Sequence, residues 1–132
     1  MPSTSFDYAV VRVVPRVDRG ERINAGVILH CRERRFLAAR IAFDRARAAA
    51  LDPALDLDEV ERALAIIPRV AAGDPDAGPV ARLDQAERFH WLVAPRSTIV
   101  QPSSVHSGIC EDPDAALQRL MSTMVLTPST IP

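Results

Sequence analysis

The first third of the chain contains three apolar stretches that are rich in β-branched residues and separated only by short polar segments. They cover residues 6–14, 23–31 and 36–43. Such stretches are typical of β-strands, and Asp18 and Gly20 supply turn chemistry between the first two. Strands joined by connections this short pair as antiparallel neighbours. The sequence therefore predicts an antiparallel meander at the start of the chain.

Alternation along each strand sorts its side chains onto two faces of the predicted sheet. The odd-numbered residues from 37 to 43 are all apolar, so we expect them to face the core, and Arg40 falls on the other side. By the same rule Arg12, Asn24 and Arg40 share the less apolar face. This placement depends on the register, since a shift of one residue reverses every side chain of a strand.

Most of the remaining chain has helical periodicity. Asp56 followed by Glu59 predicts a helix start, and Pro68 predicts that this helix ends or kinks near Ile67. We expect further helices at residues 46–51, at 83–93 and after the cap Asp112, and a short extra strand at 98–101, with the rest of the 96–108 segment as loop. The predicted fold class is α+β: a three- or four-stranded antiparallel meander with three or so helices packed on one face.

Length and composition indicate one domain in a reducing compartment. With 132 residues, of which 48% are hydrophobic, we expect a single domain over residues 1–132 with flexible ends at about 1–5 and 127–132. The pattern of a signal peptide and the apolar run needed to cross a bilayer are both missing, so a cytoplasmic location is expected. Cys31 and Cys110 are then reduced core residues, although a disulfide between them stays an alternative.

The charges are distributed unevenly along the chain. Residues 1–50 hold ten arginines against five acidic residues, whereas residues 51–132 hold six arginines against twelve. A basic surface that attracts phosphate or an acidic partner would give this pattern. Two halves of one domain whose charges meet would give it as well. The net charge of −1 does not favour nucleic acid or a membrane.

Motifs for metals, nucleotide loops or nucleophilic catalysis do not occur. His30 and Cys31 are adjacent and point to opposite faces of a strand, and no pair of ligands has the spacing of a zinc site. A phosphate-binding loop that ends in lysine is impossible, because the chain contains no lysine. Ser103, Ser104 and Ser107 lie close to His106 in sequence, but sequence neighbours seldom reach the geometry that a nucleophile and its base need, so nucleophilic catalysis is not expected. We therefore expect no metal and no cofactor.

Two blocks of the sequence resemble a known family. YAVVRVVPRVDRGERINAGVILHCRERRFLAARI and the later ERFHWLVAPRSTIVQPSSVHSG are similar, in this order, to the bacterial domain of unknown function 3037. Ala25 departs from the family pattern, which usually has a larger aliphatic residue there. The likeness extends over about residues 6–126. The positions that match the motifs are Tyr8, Arg12, Pro15, Glu21, Asn24, Gly26, Val27, Arg96, Ser97 and Gln101.

The resemblance implies a partner rather than a reaction, because members are often encoded beside a HipA-like kinase. We accordingly predict a non-enzymatic binding or accessory module that acts with a partner protein, with arginines that bind a phosphate-bearing ligand. The alternative is a small hydrolase or phosphodiesterase that uses Glu21, His90 or His106 with Arg96. The candidate binding residues are Arg12, Glu21, Asn24, Arg40, Arg96, Ser97 and Gln101.

Glu21 decides between two interpretations of Arg12. If the carboxylate pairs with Arg12, and Asn24 completes the donors, the group is a structural lock for the first hairpin. If Glu21 points elsewhere, Arg12 is free to bind an anion.

Overall fold

The computed structural model describes residues 2–127, which form an α+β domain. It consists of an antiparallel sheet with helices after the third and fifth strands, and short 3-10 turns precede the third helix. The strands are β1 (Thr4–Val13), β2 (Ile23–Cys31), β3 (Phe36–Ile41), β4 (Val100–Pro102) and β5 (His106–Cys110). The helices are α1 (Arg45–Leu51), α2 (Leu57–Ala71), α3 (Gln85–Leu92) and α4 (Pro113–Leu120), which continues as a π-helical segment, Met121–Val125. We call α4 and this segment the C-terminal helix.

The predicted meander forms β3–β2–β1, and the other edge of β1 pairs with an interrupted strand. β4 pairs with residues 11–13 of β1, and β5 pairs with residues 4–8. Ser103 lies at the interruption, where its N–H donates to the Val10 carbonyl and its Oγ accepts from the Val10 N–H, both at 2.8 Å. The predicted extra strand is thus confirmed in position, two residues later than expected. β5 lies in the segment predicted to be a loop.

Helices cover both faces of the sheet, so the prediction that they pack on one face is wrong. Helices α1, α2 and α3 pack on one face of the sheet, called here the α2 face. Val11 of β1 and Leu64 of α2 belong to the buried core between them. The C-terminal helix packs on the opposite face, the α4 face, through Ala116 and Leu117. The physical reason is that β2 carries apolar residues on both sides, and a sheet that is apolar on both faces needs a layer on each.

A β-bulge in the first hairpin breaks the alternation that was expected along β2. Val11 lies opposite Gly26 and Arg12 opposite Asn24, so Ala25 is an extra residue in β2. As a result Ala25 belongs to the core of the α2 face, while Val27 belongs to that of the α4 face. The strict alternation predicted for β2 is therefore wrong, and Asn24 shares its face with Val27 rather than with Ile28.

The helix caps agree with the prediction, but helix α2 extends beyond the residue at which it was predicted to end or kink. Asp56 accepts a hydrogen bond from the Glu59 N–H at 3.1 Å, and Asp112 caps α4 in the same manner. Helix α2 continues through Pro68 to Ala71 instead of ending near Ile67. Proline is tolerated there because the last turn loses only one backbone hydrogen bond, and buried Val70 holds that turn against the core.

Both cysteines are buried, and the chain is already part of a strand at Thr4. Cys31 and Cys110 are buried and free, in the same core cluster of the α4 face, as expected for small core residues. Thr4 is buried at the start of β1, so the segment expected to be a flexible N-terminal end contributes to a strand. Met1 and residues 128–132 lie outside the described part of the chain.

Candidate functional site

Three of the candidate residues lie side by side across three strands on the α4 face. Arg12 on β1 is directly opposite Asn24 on β2 and Gln101 on β4. Residues that are opposite each other in an antiparallel pair project from the same face, about 4.5–5.5 Å apart. We call Gln101, Arg12 and Asn24 the Arg12 row. It joins residues of the two sequence blocks, because β4 returns to pair with β1.

The guanidinium of Arg12 is partly buried and unsatisfied. Its Nε is shielded from solvent and makes no hydrogen bond within residues 2–127. Burial first, and then the charge of Arg22, lower the pKa of Arg12. An arginine nevertheless remains protonated at neutral pH. The row therefore holds a fixed positive charge with at least one donor that the described chain does not use.

The acidic residues near the first hairpin neutralise other arginines. Arg19 forms an ion pair with Glu21, and Arg16 lies 3.5 Å from Asp18. Neither Arg12 nor Arg22 belongs to an ion pair among the described residues. The question raised by the sequence is thereby answered at the level of geometry: Glu21 does not neutralise Arg12.

Arg40 and Asn24 hold the C-terminal helix in place. Arg40 forms an ion pair with Asp114 of α4 at 2.8 Å, and the Asn24 Nδ2 donates to the Met124 carbonyl at 2.9 Å. Both contacts show that these side chains project from the α4 face. This confirms the prediction from strand alternation that Arg12, Asn24 and Arg40 share one face. Arg40 is occupied by its carboxylate, whereas Asn24 retains its side-chain oxygen beside Arg12.

The second sequence block is divided between different surroundings. The Arg96 guanidinium lies over the Trp91 ring at 4.5 Å and donates to the Trp91 carbonyl at 2.7 Å. Ser97 is exposed and borders a groove on the α2 face. The Gln101 Nε2 donates to the Thr98 carbonyl at 2.7 Å, which orients the amide of the Arg12 row. Of this block only Gln101 joins Arg12.

The histidines do not converge on Arg12, Glu21 and Arg96. His30 is buried on the α2 face with its ring 5.0 Å from that of Phe89. Burial is the main cause that lowers the pKa of His30, opposed by the charge of Asp7. His90 is exposed on α3. His106 lies opposite Tyr8 where β5 pairs with β1, and the centroids of the two rings are 5.5 Å apart.

Two features near the Arg12 row were not found from the sequence. Arg22 is one of the ten arginines in residues 1–50, and its importance depends on which of its neighbours are already paired. The Tyr8–His106 pair depends on β5, whose serine and glycine content hides a strand. Among residues 2–127 no group of three His, Cys, Asp or Glu residues is arranged to hold a metal, and no helix has the length and apolarity to cross a membrane.

Comparison with known proteins identifies the family. The profile of the family described as protein of unknown function (DUF3037) matches residues 8–125, nearly the whole chain. The chain belongs to this family. No curated protein and no solved structure matches it significantly. The DUF3037 match includes both blocks that supply the Arg12 row, and the family description assigns no activity to them, so the chemistry of the site is inferred from its geometry.

Proposed function

We propose that this DUF3037 protein is a binding module for a phosphate-bearing ligand and that Arg12 contacts the phosphate. The observation that carries the proposal is the Arg12 guanidinium, which is partly buried and has an unused donor at Nε. A shielded donor without a partner destabilises the folded chain, and the described chain supplies no carboxylate to Arg12. An external anion would provide the missing partner.

The neighbours of Arg12 suit a phosphate better than a simple carboxylate. Arg22 adds a second positive charge close enough to lower the pKa of Arg12. Asn24 and Gln101 place amide groups on either side. Each amide nitrogen donates one N–H to a backbone carbonyl and has a second N–H that can donate to a phosphate oxygen. The planar guanidinium fork matches two oxygens of one phosphate.

An aromatic pair lies on the same face as the Arg12 row. It consists of the half-buried Tyr8 of β1 and the exposed His106 of β5, which are opposite each other. A ligand that extends from Arg12 along β1 would reach this pair. A cleft in which Arg12, Glu21 and Arg96 converge near a histidine would favour the hydrolase alternative, and the positions of these residues give it no support.

A HipA-like kinase as the partner of this module remains a prediction from the family resemblance. The cytoplasm likewise remains the predicted location, and the two free, buried cysteines are consistent with a reducing compartment.

The phosphate proposal is tested by titrating the full chain with sodium pyrophosphate and with ATP at low ionic strength. Nuclear magnetic resonance spectra that record arginine Nε–Hε signals would follow Arg12 directly. We expect its signal to shift on addition of either probe, with an affinity that falls as salt is added, because the interaction is electrostatic.

Two variants of equal charge separate a specific site from general attraction. Arg12→Met removes the proposed contact, and Arg19→Met removes an exposed arginine that is already paired with Glu21. We expect Arg12→Met to weaken binding about tenfold or more, as for the loss of a charge-assisted hydrogen bond of about 1.5–3 kcal/mol. Equal affinities for both variants, or no binding of either probe to the unmodified chain, contradict the proposal.

A further inference from the structure

A groove of about 640 Å³ lies at the end of the α2 face, away from the Arg12 row. Its apolar residues include Val17 and Ile99, which are 48% and 37% exposed, and the buried Val60 forms part of its wall. The volume is within the range of pockets that hold ligands. The groove, called here the α2 groove, is lined by Pro15, Val17, Asp52, Ala54, Leu55, Asp56, Glu59, Val60, Ala63, Ser97, Thr98, Ile99 and Val100.

The charged side chains of the α2 groove are all acidic. Asp52, Asp56 and Glu59 border it, and no arginine lines it among the described residues. Asp52 and Asp56 each use one oxygen to accept a backbone N–H, which leaves the other oxygen available. Glu59 is exposed, and its carboxylate takes part in no ion pair of the described chain. The groove therefore combines apolar walls with a negative rim.

One wall of the groove offers main-chain donors. Residues 97–99 lead into β4 with bends at Thr98 and Ile99, and the N–H groups of Ser97 and Thr98 donate to no acceptor within residues 2–127. Free N–H groups beside an apolar groove are suited to an extended peptide, which can pair with them through its carbonyls. A compact amine would use the carboxylates but not these donors.

We propose that the α2 groove docks an extended segment of a partner protein in which aliphatic side chains are flanked by arginine or lysine. The aliphatic side chains would cover Val17, Ile99 and Val60, and the basic groups would meet the acidic rim. The first hairpin of a second copy of this chain is a poorer occupant of the groove, because Arg16 and Arg19 at its tip already have acidic partners. The proposal does not rest on the phosphate site, which lies on the other face.

The test uses a display library of random 12-residue peptides, selected on the full chain. Peptides that also bind Ala63→Trp are removed, because the indole would occupy the groove from an exposed position on α2. We expect the surviving peptides to combine arginine or lysine with leucine, isoleucine or valine. Survival of no peptide, or of acidic peptides only, overturns the proposal.

The most enriched peptide is then synthesised with a fluorescent label, and its affinity is measured by anisotropy. Glu59→Gln and Glu111→Gln are matched variants, since both remove one exposed carboxylate and only the first lies in the groove. We expect Glu59→Gln to weaken binding about threefold and Glu111→Gln to leave it unchanged, as for one exposed ion pair. Circular dichroism establishes that every variant is folded.

Two results overturn this assignment at the second stage. Equal weakening by the two glutamine variants means that the peptide responds only to net charge. Self-association of the unmodified chain that is lost in Ala63→Trp, measured by sedimentation, means that a second copy occupies the groove. Arg12→Met should leave peptide affinity unchanged, so failure of the phosphate site and failure of the groove are distinguishable.

Discussion

Replacing Arg12 by methionine should stabilise the fold while removing the proposed phosphate contact. Methionine keeps the length of the side chain and its apolar contacts, but it carries no charge and no donor that needs a partner. An isolated charge in a partly buried position lowers the free energy of unfolding, and such a cost is typical of residues that bind ligands.

The magnitude follows from the surroundings of the guanidinium. A buried donor without a partner costs about 1–3 kcal/mol, and the Nε of Arg12 meets that description. The side chain as a whole is only partly buried, so its terminal nitrogens retain some hydration, and the lower end applies. We expect a gain of about 1 kcal/mol in the free energy of unfolding, which corresponds to roughly 3–5 °C in the melting temperature of a chain of this length.

Urea denaturation followed by circular dichroism measures this change. For a slope of about 2 kcal/mol per molar urea, the midpoint should rise by about 0.5 M with the slope unchanged. Arg19→Met is the control, and because its ion pair is exposed we expect a change of less than about 0.5 kcal/mol. A loss of stability in Arg12→Met would show that the guanidinium is satisfied in the folded chain, and it would remove the basis of the phosphate proposal.

Three further predictions concern the packing around the sheet. Asn24→Ala should cost about 1 kcal/mol and speed amide exchange near Met124, because the hydrogen bond that ties the C-terminal helix to β2 is lost. Gly108→Ala should lower the free energy of unfolding by about 1–3 kcal/mol, since the added Cβ would lie 2.5 Å from the Phe6 Cζ, and Phe6→Leu in the same chain should restore part of it. Stability should fall as the pH drops below about 6.5, because burial lowers the pKa of His30 and only the unfolded chain takes up the proton there. His30→Leu should reduce this slope in urea titrations at pH 5 and pH 7, and an unchanged slope would refute the assignment to His30.

The sequence by itself determined the local elements and the family. Runs of β-branched residues between short turns specify β1, β2 and β3, because strand periodicity and turn chemistry are local properties. The Asp56 and Asp112 caps were predicted for the same reason, since a cap is formed with residues two or three positions away. Position along the chain was sufficient for these caps, because both partners of each hydrogen bond are neighbours in sequence.

The tertiary structure alone decided the faces, the broken edge strand and the state of each arginine. The extra residue at Ala25 places Asn24 on the same face as Val27 instead of Ile28, and no local pattern announces the bulge. β5 is a strand because the β1 edge needs a hydrogen-bonding partner, although its own residues have low strand propensity.

The arginines show most clearly which properties the sequence determines and which ones only the fold decides. The basic stretch around the first hairpin is plain in the sequence, but whether a charge is available depends on which carboxylate lies within a few ångströms. Glu21 pairs with Arg19, Asp114 pairs with Arg40, and Arg12 receives neither. Electrostatic interactions act through space, so only the folded arrangement shows that Arg12 is partly buried and has no carboxylate partner among the described residues.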